Sequence, residues 1–129
     1  MAEADPSPEQ FRQLMLDDEP SFEDVLTCVF DIQRHESRTY LTLLAYPGST
    51  VEELAAELER DRSNVNRSLS TLREKGLATR ERRLLDGGGH VYQYTATPLD
   101  EARDLLHEAL DQWAAAVHES IDAFDGGAL

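Results

Sequence analysis

The sequence predicts a mostly α-helical fold with one small β-hairpin, and three observations predict it. Apolar residues recur at helical spacing along most of the chain, two strand-like runs flank an Asp86-Gly87-Gly88-Gly89 loop, and capping signatures mark helix starts. At 129 residues and 40% hydrophobic content, the chain reads as one domain with a modest core.

Residues 1–20 read as a tail followed by a short helix, Pro8 to Asp18, with Phe11, Leu14 and Met15 at helical spacing. A second helix starts at Ser21, with Asp24 three residues on as an acidic variant of the capping box. Its apolar face is Phe22, Val25, Leu26, Val29 and Ile32, with Cys28 beside it. A third helix is predicted from about Glu36 to Ala45, burying Tyr40, Leu41 and Leu44 and stopped by Pro47-Gly48. Thr50 with Glu53 is a capping box ahead of Val51, Leu54, Ala55 and Leu58, a helix of about two turns. After a turn at Glu59 to Asp61, Asp61 caps a helix reaching Lys75, with Gly76 as its stop and Val65, Leu69 and Leu72 as its core face.

Helix, tight turn, helix at this size is a helix-turn-helix unit. The strand-like runs Leu77 to Leu85 and His90 to Thr97 follow it directly, which makes the hairpin a wing. The fold class is therefore a winged helix-turn-helix over residues 21–97. A long terminal helix, 98–125, carries Leu99, Ala102, Leu106, Ala109, Trp113, Ala116 and Val117 at spacings of mostly three and four. Some 25 residues make a rod of roughly 37 Å, longer than a small core needs.

Charge is distributed unevenly along this plan. Net charge is -14, yet eight of the twelve basic residues fall between Arg60 and Arg83, against three acids in that window. The bases are eleven Arg and one Lys. Together with the acidic excess, this composition suggests a halophile, whose acid-rich surface stays soluble in concentrated salt.

Several classes are excluded or unsupported. The single cysteine rules out an internal disulfide and any Cys-based zinc cluster. No apolar run approaches membrane-spanning length and no signal peptide opens the chain, so cytoplasmic residence is expected. No Ser/His/Asp set, phosphate loop or HExxH motif appears, so no catalytic residue, metal or cofactor is expected. Asp104, His107 and Asp111 share a helix face and read as polar surface.

The basic window has the residue types that read nucleic acid. With Val65, Leu69 and Leu72 facing inward, Ser63, Asn66, Arg67, Ser70 and Glu74 project outward, with Asn64 and Thr71 on the flank. Arg pairs bidentately with guanine and Asn with adenine, and Ser serves base or phosphate. Arg62 and the helix N-terminus suit a phosphate. No acid occurs from Arg62 to Arg73, whereas a merely solvated face of so acidic a protein is expected to carry some. Arg80, Arg82 and Arg83 lie on the first wing strand, with His90 and Tyr92 across the loop, suited to the sugar-phosphate backbone or minor groove. The alternative is that these arginines pair with the protein's own acidic surface. Arg73 and Lys75 are explained by the helix dipole alone.

The segment from about Phe22 to Thr97 resembles the winged helix-turn-helix of archaeal TrmB-like transcription regulators and, more distantly, MarR-like ones. The resemblance rests on TYLTLL, TVEELAAELERDRSNVNRSLSTLREKGLATR and LLDGGGHVYQYTATP, of which LREKGL followed by a wing is the most specific. It implies a DNA-reading role for Ser63, Asn64, Asn66, Arg67 and Ser70, and a wing role for Arg80, Arg82 and Arg83. Full-length TrmB proteins carry a large C-terminal sugar-binding domain, and here a single helix follows the wing, so sugar sensing is not implied.

That terminal helix is expected to dimerise the protein, because a lone amphipathic helix is marginal unless it packs; packing onto its own domain is the alternative. The partner expected is double-stranded DNA at a pseudo-palindromic operator, bound by a homodimer. A protein-protein adaptor of the transcription machinery is the second function class. Cys28 is either a small core residue or a redox-sensing thiol acting between subunits or through a sulfenic acid.

Overall fold

The computed structural model describes residues 19–127. The short helix expected from Pro8 to Asp18 lies outside them. The described chain forms α1 (Phe22–Phe30), α2 (Arg34–Ala45), α3 (Val51–Leu58), α4 (Arg62–Glu74), β1 (Ala78–Leu84), β2 (His90–Ala96) and α5 (Leu99–Ala123). This is the expected winged helix-turn-helix with a long terminal helix.

Local chemistry explains the helix starts. At α1, Asp24 N donates to Ser21 Oγ at 3.0 Å, and Ser21 N donates to the Asp24 carboxylate at 3.3 Å. At α3, Glu53 N donates to Thr50 Oγ1 at 3.1 Å, and Thr50 N to Glu53 Oε1 at 2.9 Å. Each pair satisfies two backbone donors that the helix itself leaves unpaired. Helix α2 starts two residues before the expected Glu36. Gln33 occupies its N-cap, and the Gln33 N–H donates to Glu36 Oε1 at 2.8 Å. Gln is not among the favoured N-cap types, which is why sequence places the start too late. Asp61 is the N-cap of α4 as expected, but its side chain makes no capping hydrogen bond. Gly76 ends that helix at φ +80°, a conformation that penalises any Cβ.

The core joins all the elements. Leu26, Tyr40, Leu43, Leu54, Val65, Leu69, Leu72 and Leu77 are almost completely buried in one cluster. Truncating such a side chain to Ala costs about 2–5 kcal/mol. The core face of α2 differs from expectation. Ser37, Thr39, Tyr40 and Leu43 are buried, while Leu41 and Leu44 are only partly so. The cause is that α2 is the central element, packed against α1, α3, α4 and β2 and so enclosed on more than one side. Its small polar residues find local partners: Thr27 Oγ1 and Ser37 Oγ lie 2.9 Å apart, and Thr39 Oγ1 donates to the His35 carbonyl at 2.8 Å.

The hairpin is antiparallel, pairing Ala78 with Ala96, Arg80 with Tyr94, Arg82 with Tyr92 and Leu84 with His90. Its root is held by a rung that the sequence did not reveal. Gly48 N donates to Tyr94 O at 2.8 Å, and Tyr94 N to Ser49 O at 2.7 Å, so the segment before α3 adds a bridge to β2. Tyr94 itself is buried. Beyond this root, β1 from Thr79 onward is exposed, and the wing projects from the body.

Helix α5 divides into two halves. Ala102 and Leu106 are buried, Leu105 and Ala109 rest on the core, and the helix packs against α1. From Ala115 onward the side chains are exposed apart from the half-buried Val117, with Ile121 at 64% and Phe124 at 61%. Ala116, placed on the apolar stripe by spacing, is exposed. Packing onto its own domain therefore accounts for the first half of α5 only. Among the described residues, no helix is long and apolar enough to cross a membrane.

Candidate nucleic-acid interface

The second helix of the helix-turn-helix and the wing form the two walls of an open groove. It measures about 680 Å³ and is lined by Arg62, Ser63 and Asn66 from α4, Arg80, Val91, Tyr92 and Tyr94 from the hairpin, and the start of α3 at Thr50 to Glu52. Glu52 is the one acid among these lining residues.

Helix α4 turns the expected face outward. Ser63, Asn66, Arg67 and Ser70 are exposed, and Asn64 is half-buried on the flank. The periodicity sets this orientation, because Val65, Leu69 and Leu72 are drawn into the core on the opposite side. Ser68 is also fully buried there, its hydroxyl 3.1 Å from His35 Nδ1, while His35 Nε2 lies 2.9 Å from Gln33 Oε1. His35 thus links the N-terminus of α2 to the inner side of α4, a contact between distant positions that no local signal announces.

The cations of this surface are differently engaged. Arg62 Nη1 donates to Glu52 Oε2 at 2.7 Å, in a pair whose side chains are about 70% exposed. Arg67 Nη2 donates to Asn64 Oδ1 on the next turn. The Arg80 guanidinium carbon lies 4.0 Å from the centroid of the Tyr92 ring, and His90 meets that ring edge-on at 5.4 Å. Arg60 is half-buried in the turn and does not line the groove.

Strand register divides the three wing arginines. Side chains alternate along a strand, so Arg80 and Arg82 share the face of Tyr92 and Tyr94, which borders the groove. Arg83 falls on the opposite face, in a second hollow with Thr50, Glu53, Asp86 and Gln93. At the tip, Gly88 and Gly89 adopt φ of +95° and +80°, which favours glycine, and nothing lies within 4 Å of where their side chains would start.

Cys28 lies apart from all of this. It is buried in α1 with 3% exposure, and burial, with Asp31 second, raises its thiol above the usual range. Reactive cysteines sit in partly exposed, electropositive surroundings. The redox role offered as one option by the sequence is disfavoured on both counts, and the setting is that of a small core residue. Among the described residues, no His, Cys, Asp and Glu group is placed to hold a metal.

Comparison with known proteins agrees with this architecture. Residues 26–100 match the family described as "Sugar-specific transcriptional regulator TrmB". An uncharacterized protein of Methanocaldococcus jannaschii is 34% identical over 104 residues, which is 81% of this chain and 86% of that protein. A possible transcriptional regulator from Methanosarcina mazei has a similar structure, with a TM-score of 0.73 and 26% identity over 81% of this chain and 88% of the other. The archaeal chromatin protein TrmBL2, whose structure is described as showing a novel mode of DNA binding, shares the fold at a TM-score of 0.58 and 24% identity. That match covers 78% of this chain and 35% of TrmBL2.

Proposed function

Because the chain belongs to the TrmB family of transcriptional regulators, we propose that it is a sequence-specific, double-stranded DNA-binding regulator that acts as a homodimer. The observation that carries this reading is the outward face of α4, free of acids from Arg62 to Arg73, beside a groove lined by Arg62 and Arg80, in a protein of net charge -14. Membership in a family of regulators rather than enzymes accords with a sequence that lacks any catalytic constellation.

In this reading α4 enters the major groove. Asn66, Arg67 and Ser70 meet base edges, Asn64 orients Arg67, and Ser63 and Arg62 meet phosphate near the helix N-terminus. Arg80 and Arg82 follow the backbone from the groove face of the wing, and Arg83 meets the adjacent strand from the other face. Bulk negative charge opposes nonspecific binding, so discrimination rests on base-edge contacts. The exposed second half of α5 pairs with the same helix of a second copy. The two reading heads then address half-sites about 34–36 Å apart or a multiple of that distance.

The test is selection of bound duplexes from a random pool, followed by titration of the winner and of random duplex. Recovery of a two-fold symmetric motif, bound at least about a thousand-fold more tightly than random sequence, is the expected result. Failure to enrich any sequence would overturn DNA readout and leave a protein-protein adaptor as the better account.

A further inference from the structure

The groove holds two arginines in opposite states, and the contrast assigns a distinct role to Tyr92 of the wing. The guanidinium of Arg62 is held by a carboxylate, Glu52 Oε2, at 2.7 Å. Arg80 is held by a ring, with its guanidinium carbon 4.0 Å from the Tyr92 centroid. A guanidinium carries five N–H donors, and attraction to an aromatic face neutralises none of its charge. Among the described residues, no acceptor takes those donors of Arg80. We propose that Tyr92 is a positioning residue for DNA readout, which fixes the Arg80 guanidinium in the groove that the recognition helix also lines, with its donors available to the duplex.

The platform is rigid where it needs to be. Tyr92 is half-buried and packs against the core cluster, and its strand is anchored two residues on by Tyr94, which bonds to both Gly48 and Ser49. His90 also meets the ring edge-on, with centroids 5.4 Å apart and an interplanar angle of 77°. Arg80 and Tyr92 also line the same groove as Ser63 and Asn66 of α4. A long, flexible arginine is thereby held beside the residues that read bases, instead of sweeping through solvent. Less side-chain entropy then remains to be lost when the duplex arrives. Arg82, one register step further out, has no such support among the described residues and fits a looser backbone contact.

This inference rests on the DNA-binding reading, and the experiment separates the two. The full chain is titrated against its selected duplex by fluorescence anisotropy, as wild type, Tyr92→Phe, Tyr92→Leu, Arg80→Ala and the Arg80→Ala/Tyr92→Leu pair. Tyr92→Phe keeps an aromatic face and should bind as wild type, whereas Tyr92→Leu should bind about five-fold more weakly. In the Arg80→Ala background, Tyr92→Leu should add nothing, because its effect passes through Arg80. In the free protein, the Arg80 side-chain Nε–H resonance should carry a ring-current shift that Tyr92→Leu abolishes and Tyr92→Phe retains; this readout does not depend on DNA. An equal loss with and without Arg80, an unshifted Arg80 resonance, or a Tyr92→Phe variant as weak as Tyr92→Leu overturns the proposal. Absence of duplex binding by the wild type overturns the DNA-binding reading and this inference with it. Wild-type binding left unchanged by Tyr92→Leu overturns this inference alone.

Discussion

Tyr40 and Thr97, 57 residues apart, meet through one hydrogen bond: the phenol donates to the Thr97 carbonyl at 2.8 Å. Thr97 in turn donates from Oγ1 to the Gly76 carbonyl at 2.6 Å and from its backbone to Leu77 O at 2.8 Å. One residue thus joins the central helix, the end of the recognition helix, the root of the wing and the start of α5. Tyr40→Phe removes the donor and leaves the carbonyl short of a partner, a loss of about 1–2 kcal/mol measurable by chemical denaturation. Burial raises the Tyr40 phenol above its ordinary value of 10.0. Its contribution is therefore complete below about pH 10 and is lost as pH rises through the folded-state value. Tyr40→Phe should accordingly flatten the alkaline limb of the stability-pH profile; an unchanged limb would remove Tyr40 as its source.

What sequence made legible was local. Ser21 with Asp24, Thr50 with Glu53, and Gly76 after Lys75 each declare a helix boundary through chemistry within a few residues, and each is found in the structure. The outward face of α4 was legible too, because three apolar positions fix which way a helix turns. The relationships that shape the groove were not. Glu52 with Arg62, Arg80 with Tyr92, and His35 with Ser68 each join two elements, and their pairing depends on packing angles that periodicity does not encode. The wing arginines read as one set, yet strand alternation sends Arg83 to the other face once the register is known.

In the proposed complex, Glu52 would compete with phosphate for Arg62. The pair is exposed on both sides and contributes little to stability, about 0–1 kcal/mol. Its consequence would be felt at the groove, where the carboxylate occupies Arg62 and, in the proposed complex, would repel the duplex. Glu52→Gln should leave the melting temperature nearly unchanged and strengthen binding to any duplex several-fold. It should also steepen the salt dependence by about one counterion. A titration series across salt checks both, and unchanged affinity with an unchanged slope would mean that Arg62 does not meet phosphate.

Arg67 is exposed on the same face and tethered to Asn64 one turn away. Arg67→Ala should cost about 1–3 kcal/mol on the selected duplex and relax preference at one base position. Binding to random duplex should change far less. Comparable loss on both would make Arg67 a phosphate contact, and parallel selections with wild type and variant distinguish the outcomes.

Cys28 offers a contrasting prediction. Because its thiol is buried and its pKa raised by desolvation, little thiolate is available to an oxidant or alkylating reagent near neutral pH. Alkylation of the native protein should be slow and become fast on denaturation. Oxidant treatment should leave DNA binding the same in wild type and Cys28→Ser. Rapid native labelling, or an oxidant response lost in the variant, would restore the sensing role.

The second half of α5 tests the homodimer. Ile121 and Phe124 are more than half exposed in the single chain and form a shallow apolar hollow with Val117. An amphipathic helix with one face unpaired is marginal on its own, and the proposed homodimer would cover these side chains with a second copy. Replacing both with Glu places like charges opposite one another across a two-fold axis, which disfavours association without touching the winged core. Sedimentation should then show a monomer where the wild type is a dimer. Each chain should retain its groove but lose the gain from binding two half-sites at once, a drop of about 100-fold or more on the symmetric duplex. Affinity for an isolated half-site should stay the same. A variant that remains dimeric would move the interface elsewhere, and one that is monomeric yet binds the full site undiminished would show that two copies do not act together.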